Sequence, residues 1–123
     1  MNLAHYFDPS EAFPNPLGLS KDASLFGKLN KASITENLTI DNNTLVIFGV
    51  AESRNSNNPG ATNAPEGIRK FLYALSGASI KKSLVDLGNL KQTASPADTY
   101  MAVRDVIAFL TSKGATVIVL GGT

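Results

Sequence analysis

The sequence predicts an α/β fold: a parallel β-α-β-α-β unit in local strand order 2-1-3. Two uniformly apolar runs, Leu45-Val46-Ile47-Phe48 and Val117-Ile118-Val119-Leu120, ask for cover on both faces, as in a sheet lying between helix layers. The stretches between them carry apolar residues at helical spacing. A polar loop after the first run exceeds the ~12 residues usual for an unstructured connection, which points to a site.

Taken in order, residues 1 to 38 read as a partly irregular extension packed on a main body that spans 39 to 123. Within the extension, Ser20 through Lys31 has the pattern of one short helix. Asp41-Asn42-Asn43 forms a turn, since these side chains bond their own backbone. The first strand begins at Thr44. In the loop that follows, Gly60 after Asn58-Pro59 suits the positive φ of a type II turn. Pro65 suits a first helical turn, where its missing N–H would have no partner. Ile68, Phe71, Leu72 and Leu75 then form one stripe, which predicts the buried face of a helix closed by Gly77.

Ser83-Leu84-Val85-Asp86-Leu87 reads as a second strand, less uniformly apolar and so nearer an edge. Ser95 can cap the next helix, with Pro96 at its first position and Asp98 in its first turn. Tyr100, Val103, Ile107 and Leu110 make its expected buried stripe. Lys113 and Gly114 end it, and the third strand follows.

Right-handed crossovers between parallel strands bring all three strand ends to one edge. Open α/β sheets bind ligands outside those carboxyl ends, where strand order reverses. Three loops are therefore expected to converge: Ala51 to Ala64, Gly88 to Ala94, and Gly121 onward.

Composition narrows the function classes. In 123 residues, 43% are hydrophobic and 17% charged, enough for one small core. A net charge of +1 gives no concentrated basic face, so no nucleic-acid partner is expected. Lys81-Lys82 reads as a solvated turn. With no cysteine there are no disulfides or thiolate metal sites, which fits a cytoplasmic location. The first residues lack the basic start and apolar run of a signal peptide, and no stretch reaches the ~18 apolar residues of a membrane span. The Asn-x-Thr matches at Asn37 and Asn42 are then chance occurrences. Phosphate loops, dinucleotide fingerprints and nucleophile elbows are absent from the sequence.

Glu52-Ser53-Arg54-Asn55, Pro59-Gly60-Ala61, Ala64-Pro65-Glu66-Gly67-Ile68-Arg69 and the Leu-Tyr-Ala-Leu that follows resemble the amino-terminal region of the arginase-like ureohydrolases. Arg54-Asn55 and Gly60-Ala61 are most similar to the formimidoylglutamase branch. Asp86-Leu87-Gly88-Asn89-Leu90 resembles that family's second strand end. Val117 to Gly122 resembles the strand that leads into its Gly-Gly-Asp-His-Ser motif, with Thr123 where the family has Asp.

The resemblance implies a three-layer arginase-like fold and a hydrolase cleaving C–N bonds of amidino or formimino compounds. It implies two manganese ions in a full-length protein. No cofactor is expected in this segment, which reads as stopping before the metal-ligand motifs and as inactive alone. The alternative is a metal-free binding or assembly module. Partners would be the small-molecule substrate and, through the third strand or the helices, a second copy in a homo-oligomer.

No catalytic residue and no metal ligand is assigned. Arg54 and Asn55 suit a substrate carboxylate, through a guanidinium fork and an amide, or else loop-internal hydrogen bonds. Glu52 suits a substrate amine or guanidinium, or is an exposed loop carboxylate. Asn89 is placed in the substrate-facing set at the second strand end. Arg69 reads as a structural ion pair or carbonyl clamp. Asp86, on a strand, reads separately as orienting a loop or pairing with a helix residue, with a catalytic role as the other alternative. Gly88, Gly121 and Gly122 either allow close backbone approach or end strands. His5 carries no expected role.

Overall fold

The computed structural model describes residues 1–8, 24–29, 38–77 and 79–122. Thr123 and half of the helix expected between Ser20 and Lys31 lie outside them. What is described there holds a 3-10 turn, Phe26–Lys28.

Three parallel strands form the sheet: β1 (Thr44–Gly49), β2 (Ser83–Asn89) and β3 (Thr116–Leu120), in the order β2-β1-β3. The apolar run of β1 earns its central place because both of its faces are buried. Between the strands run α1 (Ala64–Leu72) and α2 (Pro96–Ser112). One crossover steps outward from β1 and the next returns past it, so a shared crossover hand requires the helices on opposite faces. They are. Val46, Phe48, Val85 and Leu87 pack with Val106 and Leu110 of α2, while Ile47, Leu84 and Leu120 pack with Tyr73 at the end of α1. The three-layer α/β architecture expected from the sequence is present.

The amino-terminal segment belongs to both layers. Leu3 and Phe7 enter the α2-side core, where Phe7 stands edge-on to Phe48, and Leu25 enters the α1-side core. Leu29 bridges Leu84 and so lies against the outer edge of β2.

Helix ends follow local chemistry. Ser95 Oγ accepts from Asp98 N at 3.2 Å, as capping requires, and Gly114 leaves α2 at φ 87°. Asp41 Oδ1 accepts from Asn43 N at 2.8 Å, making the turn into β1.

Four expectations are corrected. Gly60 has no positive φ; it lies in a 3-10 turn, Pro59–Asn63, because Asn58 Oδ1 accepts from its N–H at 3.0 Å and starts a helical turn instead. Gly77 does not close α1, which ends at Leu72 with Tyr73 as its cap, so that Tyr73 can turn inward to β2. The buried face of α1 is Pro65, Arg69 and Tyr73 beyond it, whereas Ile68, Phe71 and Leu75 are exposed. On α2 the innermost residues are Thr99, Val106 and Leu110, with Tyr100 outside. Both helical errors have one cause: polar groups on the inner face are held by partners on other elements, which an apolar stripe does not reveal.

Candidate functional site

The three connecting segments do meet at the carboxyl edge of the sheet, since Gly49 lies in register with both Asn89 and Leu120. Two side-chain clusters occupy that rim, one toward each helix.

On the α2 side, Glu52 is buried at 4% exposure and Arg54 closes on it. Arg54 Nε donates to Oε2 at 3.0 Å and Nη2 to Oε1 at 2.7 Å. The Arg54 backbone N–H also reaches Oε2 at 3.0 Å, and Thr99 Oγ1 donates to Oε1 at 2.8 Å. A carboxylate offers about four acceptor positions, and these four bonds fill them. The Arg54 side-chain and backbone hydrogen bonds hold the Glu52 pKa down at about 2, against the opposing effect of burial. The same pairing raises the Arg54 pKa.

Most of the Arg54 donors are engaged as well. Nη1 donates to the Thr93 carbonyl at 2.9 Å and Nη2 to Thr93 Oγ1 at 3.1 Å. Of its five N–H donors, one on Nη1 is left. The guanidinium fork therefore faces Glu52, not outward, because a buried carboxylate two residues away needs its charge compensated. Arg54 thus makes the loop-internal hydrogen bonds that were one of its two readings, whereas Glu52 is not an exposed loop acid. Their common effect is to tie the loop after β1 to the loop after β2. Asn55, on the same turn, is exposed.

On the α1 side, Arg69 donates to Asp86 through Nε at 2.9 Å and Nη2 at 3.1 Å. Its Nη1 reaches Glu66 Oε1 at 2.8 Å and Asn89 Oδ1 at 2.7 Å. Tyr73 OH donates to Asp86 Oδ2, and Gly88 N to Asp86 Oδ1 at 2.8 Å. Burial acts to lower the Arg69 pKa, but the Asp86 hydrogen bond and charge raise it overall. Burial, then the Asp86 charge, pushes the Tyr73 hydroxyl well above its ordinary range.

Asn89 reaches this cluster through a bulge. Ile47 pairs with Asp86 but Gly49 pairs with Asn89, so β2 carries one extra residue, at whose position Gly88 has φ 82°. Strand side chains alternate faces, and the extra residue returns Asn89 to the Asp86 face. Its amide then lies against Gly49, where any Cβ would collide with it and stand 2.7 Å from Pro65 Cβ. Asn89 is thus engaged inside the rim. Gly121, at φ 77°, brings its Cα so near α1 that a Cβ would sit 3.0 Å from the Pro65 ring. Gly122 follows at φ 92°.

Glu66, Tyr73, Thr93 and Thr99 escaped sequence reasoning. One signal was present for Thr99: it shares the helical stripe of Val103, Val106 and Leu110 as its polar member, and a hydroxyl at such a place implies a buried partner. His5 lies apart, in the 3-10 turn Leu3–His5.

A void of about 10 Å³, room for roughly one water, lies among Val50, Glu52, Leu90, Gln92 and Thr99. A wider groove of about 430 Å³ is at the opposite end of the sheet, lined by Leu38, Ile40, Phe109 and Lys113. Among the described residues no three His, Cys, Asp or Glu side chains converge to hold a metal ion. Glu52 and Asp86 are both taken by arginines, so these residues do not fit the manganese pair that the resemblance implies. Among the described residues no helix is long and apolar enough to cross a membrane.

Fold and rim together define an α/β domain of the kind that carries ligand chemistry on the carboxyl edge of a parallel sheet. The arginase family profile matches residues 43–123, and the chain belongs to the arginase family. It is 37% identical over 70 residues to a formimidoylglutamase of Salmonella paratyphi C (strain RKS4594), covering 56% of this chain and 22% of that protein. Formimidoylglutamases of Salmonella heidelberg (strain SL476) and Salmonella typhi are 36% and 34% identical over the same length. The matched region spans about a fifth of these relatives. No solved structure gives a significant match.

Proposed function

We propose that this chain forms the amino-terminal, substrate-facing part of a ureohydrolase-like enzyme that splits a C–N bond of an amidino or formimino compound. The observation that carries this reading is the Glu52–Arg54–Thr93 tie, which joins two loops at the edge where such sheets bind ligands. Within it, the remaining Nη1 proton of Arg54 and the exposed Asn55 amide are the groups offered to a substrate carboxylate. Each gives a single directed hydrogen bond, which orients a ligand more than it holds it. The resemblance implies two manganese ions in such an enzyme. Their ligands would lie outside the described residues, and the segment alone would be inactive.

The test uses manganese titration with formimino and guanidino substrates, following product formation by mass spectrometry. The 123-residue chain is expected to show no turnover, and a longer polypeptide carrying it to turn over a formimino or guanidino substrate. Arg54→Ala in that polypeptide should raise KM more than it lowers kcat. If the longer polypeptide neither binds manganese nor turns over any of these substrates, a metal-free assembly module on the same fold is the better reading.

A further inference from the structure

On the α2 side of the rim, hydrogen bonds close into a ring. Arg54 Nη2 lies 2.7 Å from Glu52 Oε1 and 3.1 Å from Thr93 Oγ1. Thr93 Oγ1 lies 2.6 Å from Thr99 Oγ1, which lies 2.8 Å from Glu52 Oε1. Chemistry fixes the sense of this ring. A guanidinium only donates, and the Glu52 carboxylate, with its pKa held at about 2, only accepts. Both Nη2 protons are therefore given away, and Thr99 turns its single proton to Glu52, a nearer acceptor than the Ser95 carbonyl at 3.4 Å. The Thr93 proton is left for Thr99 or for the Ser95 carbonyl at 2.8 Å.

The ring sets where Arg54 points. Its Nε–Nη2 edge is filled by Glu52 and its Nη1–Nη2 edge by the two Thr93 oxygens, so the remaining N–H leaves from the Nη1 flank. The Arg54 side chain is still 32% exposed, so these bonds, more than packing, hold it. Arg54 and Asn55 are the central residues of a turn closed by Ser56 N donating to the Ser53 carbonyl at 2.9 Å. What fixes Arg54 thus fixes Asn55 beside it. Glu52, Arg54 and Thr93 all lie on loops, and only Thr99, buried on α2, joins the ring to regular structure.

We propose that Thr99 is a positioning residue for substrate binding: through Glu52 and Thr93 it aims the Arg54 N–H and the Asn55 amide at the substrate carboxylate. This rests on the hydrolase reading given above. An arginine that must be ordered when its ligand arrives costs affinity, and one ordered beforehand does not. Loss of the Thr99 hydroxyl opens the ring on both sides, since Glu52 loses a donor and Thr93 a partner.

Thr99→Val and Thr99→Ser test this in the longer polypeptide. Thr99→Val should raise KM for a formimino substrate bearing a carboxylate by about fivefold, the worth of one neutral hydrogen bond, and lower kcat much less. Thr99→Ser keeps the hydroxyl and should restore the parental KM. With formamidine, which has no carboxylate, Thr99→Val should leave KM unmoved. Nitrogen-15 NMR of the 123-residue chain reads the aim itself. The Nη2 protons of Arg54, assigned by Arg54→Lys, should give separate signals in the parent and in Thr99→Ser and merge in Thr99→Val, while the Arg69 signals stay as they are. If Thr99→Val does not fold, Thr93→Val opens the same ring and carries the same expectations. An active polypeptide whose KM ignores the substitution would overturn the positioning role alone. So would an equal rise with formamidine, or Arg54 signals that stay separate. A parental polypeptide without turnover would remove the hydrolase reading and this role with it.

Discussion

Arg69 and Asp86 face each other across the α1–β2 interface in a two-point contact, Nε to Oδ2 at 2.9 Å and Nη2 to Oδ1 at 3.1 Å. Both side chains are almost wholly buried. The planar fork favours one register of α1 on the strand, because sliding the helix by a turn would take Arg69 away from Asp86 and leave that carboxylate buried without its counter-charge.

Breaking this pair should therefore be costly. Asp86→Ala removes the two-point partner of a buried guanidinium while its bond to the exposed Glu66 stays, and urea unfolding should show a loss of about 3–5 kcal/mol. The double variant Arg69→Met, Asp86→Leu should recover most of that loss. A single-variant loss below about 1 kcal/mol would show that the fork does not hold the helix.

Glu52 gives a pH signature. Its carboxyl is held near 2, below its ordinary 4.5, so the stabilisation is complete above about 4.5 and is lost as pH falls toward 2. Glu52→Gln should be less stable than the parent at pH 6, and the gap should close on acidification. Urea midpoints at pH 6, 4 and 3 measure it; a gap that stays constant would remove the ion-pair account of the loop.

The amino-terminal segment can be tested through Phe7. Its ring centroid lies 5.6 Å from that of Phe48 at an interplanar angle of 73°, and its side chain is fully buried. Phe7→Ala should cost about 3–5 kcal/mol, as for other large core truncations. Equal stability of parent and variant in thermal melts would mean that residues 1–8 do not close the core.

Gly49 has no room for a methyl group. Gly49→Ala would press on the Asn89 amide and on Pro65, and overpacking of this kind costs about 1–3 kcal/mol. Asn89→Ala should relieve part of it, so the two substitutions together should be less than additive in chemical denaturation.

Strands, their order and the helix starts were legible because each depends on local chemistry. Four consecutive apolar residues in β1 admit little but a doubly covered strand, and Ser95, Pro96 and Asp98 mark a helix start through bonds within one turn. The rim was legible as a place, since topology alone gathers those loops. The roles of its residues were not. Local sequence could not choose between the two readings of Arg54, because nothing near it shows that Thr93 and Thr99 help to bury the Glu52 carboxylate.

The sequence by itself determined the α/β class, the 2-1-3 sheet and the edge where the loops meet, since hydrophobic period, capping and crossover hand act over a few residues or follow from chirality. Only the tertiary structure decided which face of α1 turns inward. A buried ion pair and a hydroxyl, supplied by β2 seventeen positions after Arg69 and by Tyr73, outweigh an apolar stripe once both partners leave water together. The apolar stripe is then left on the outer face of α1.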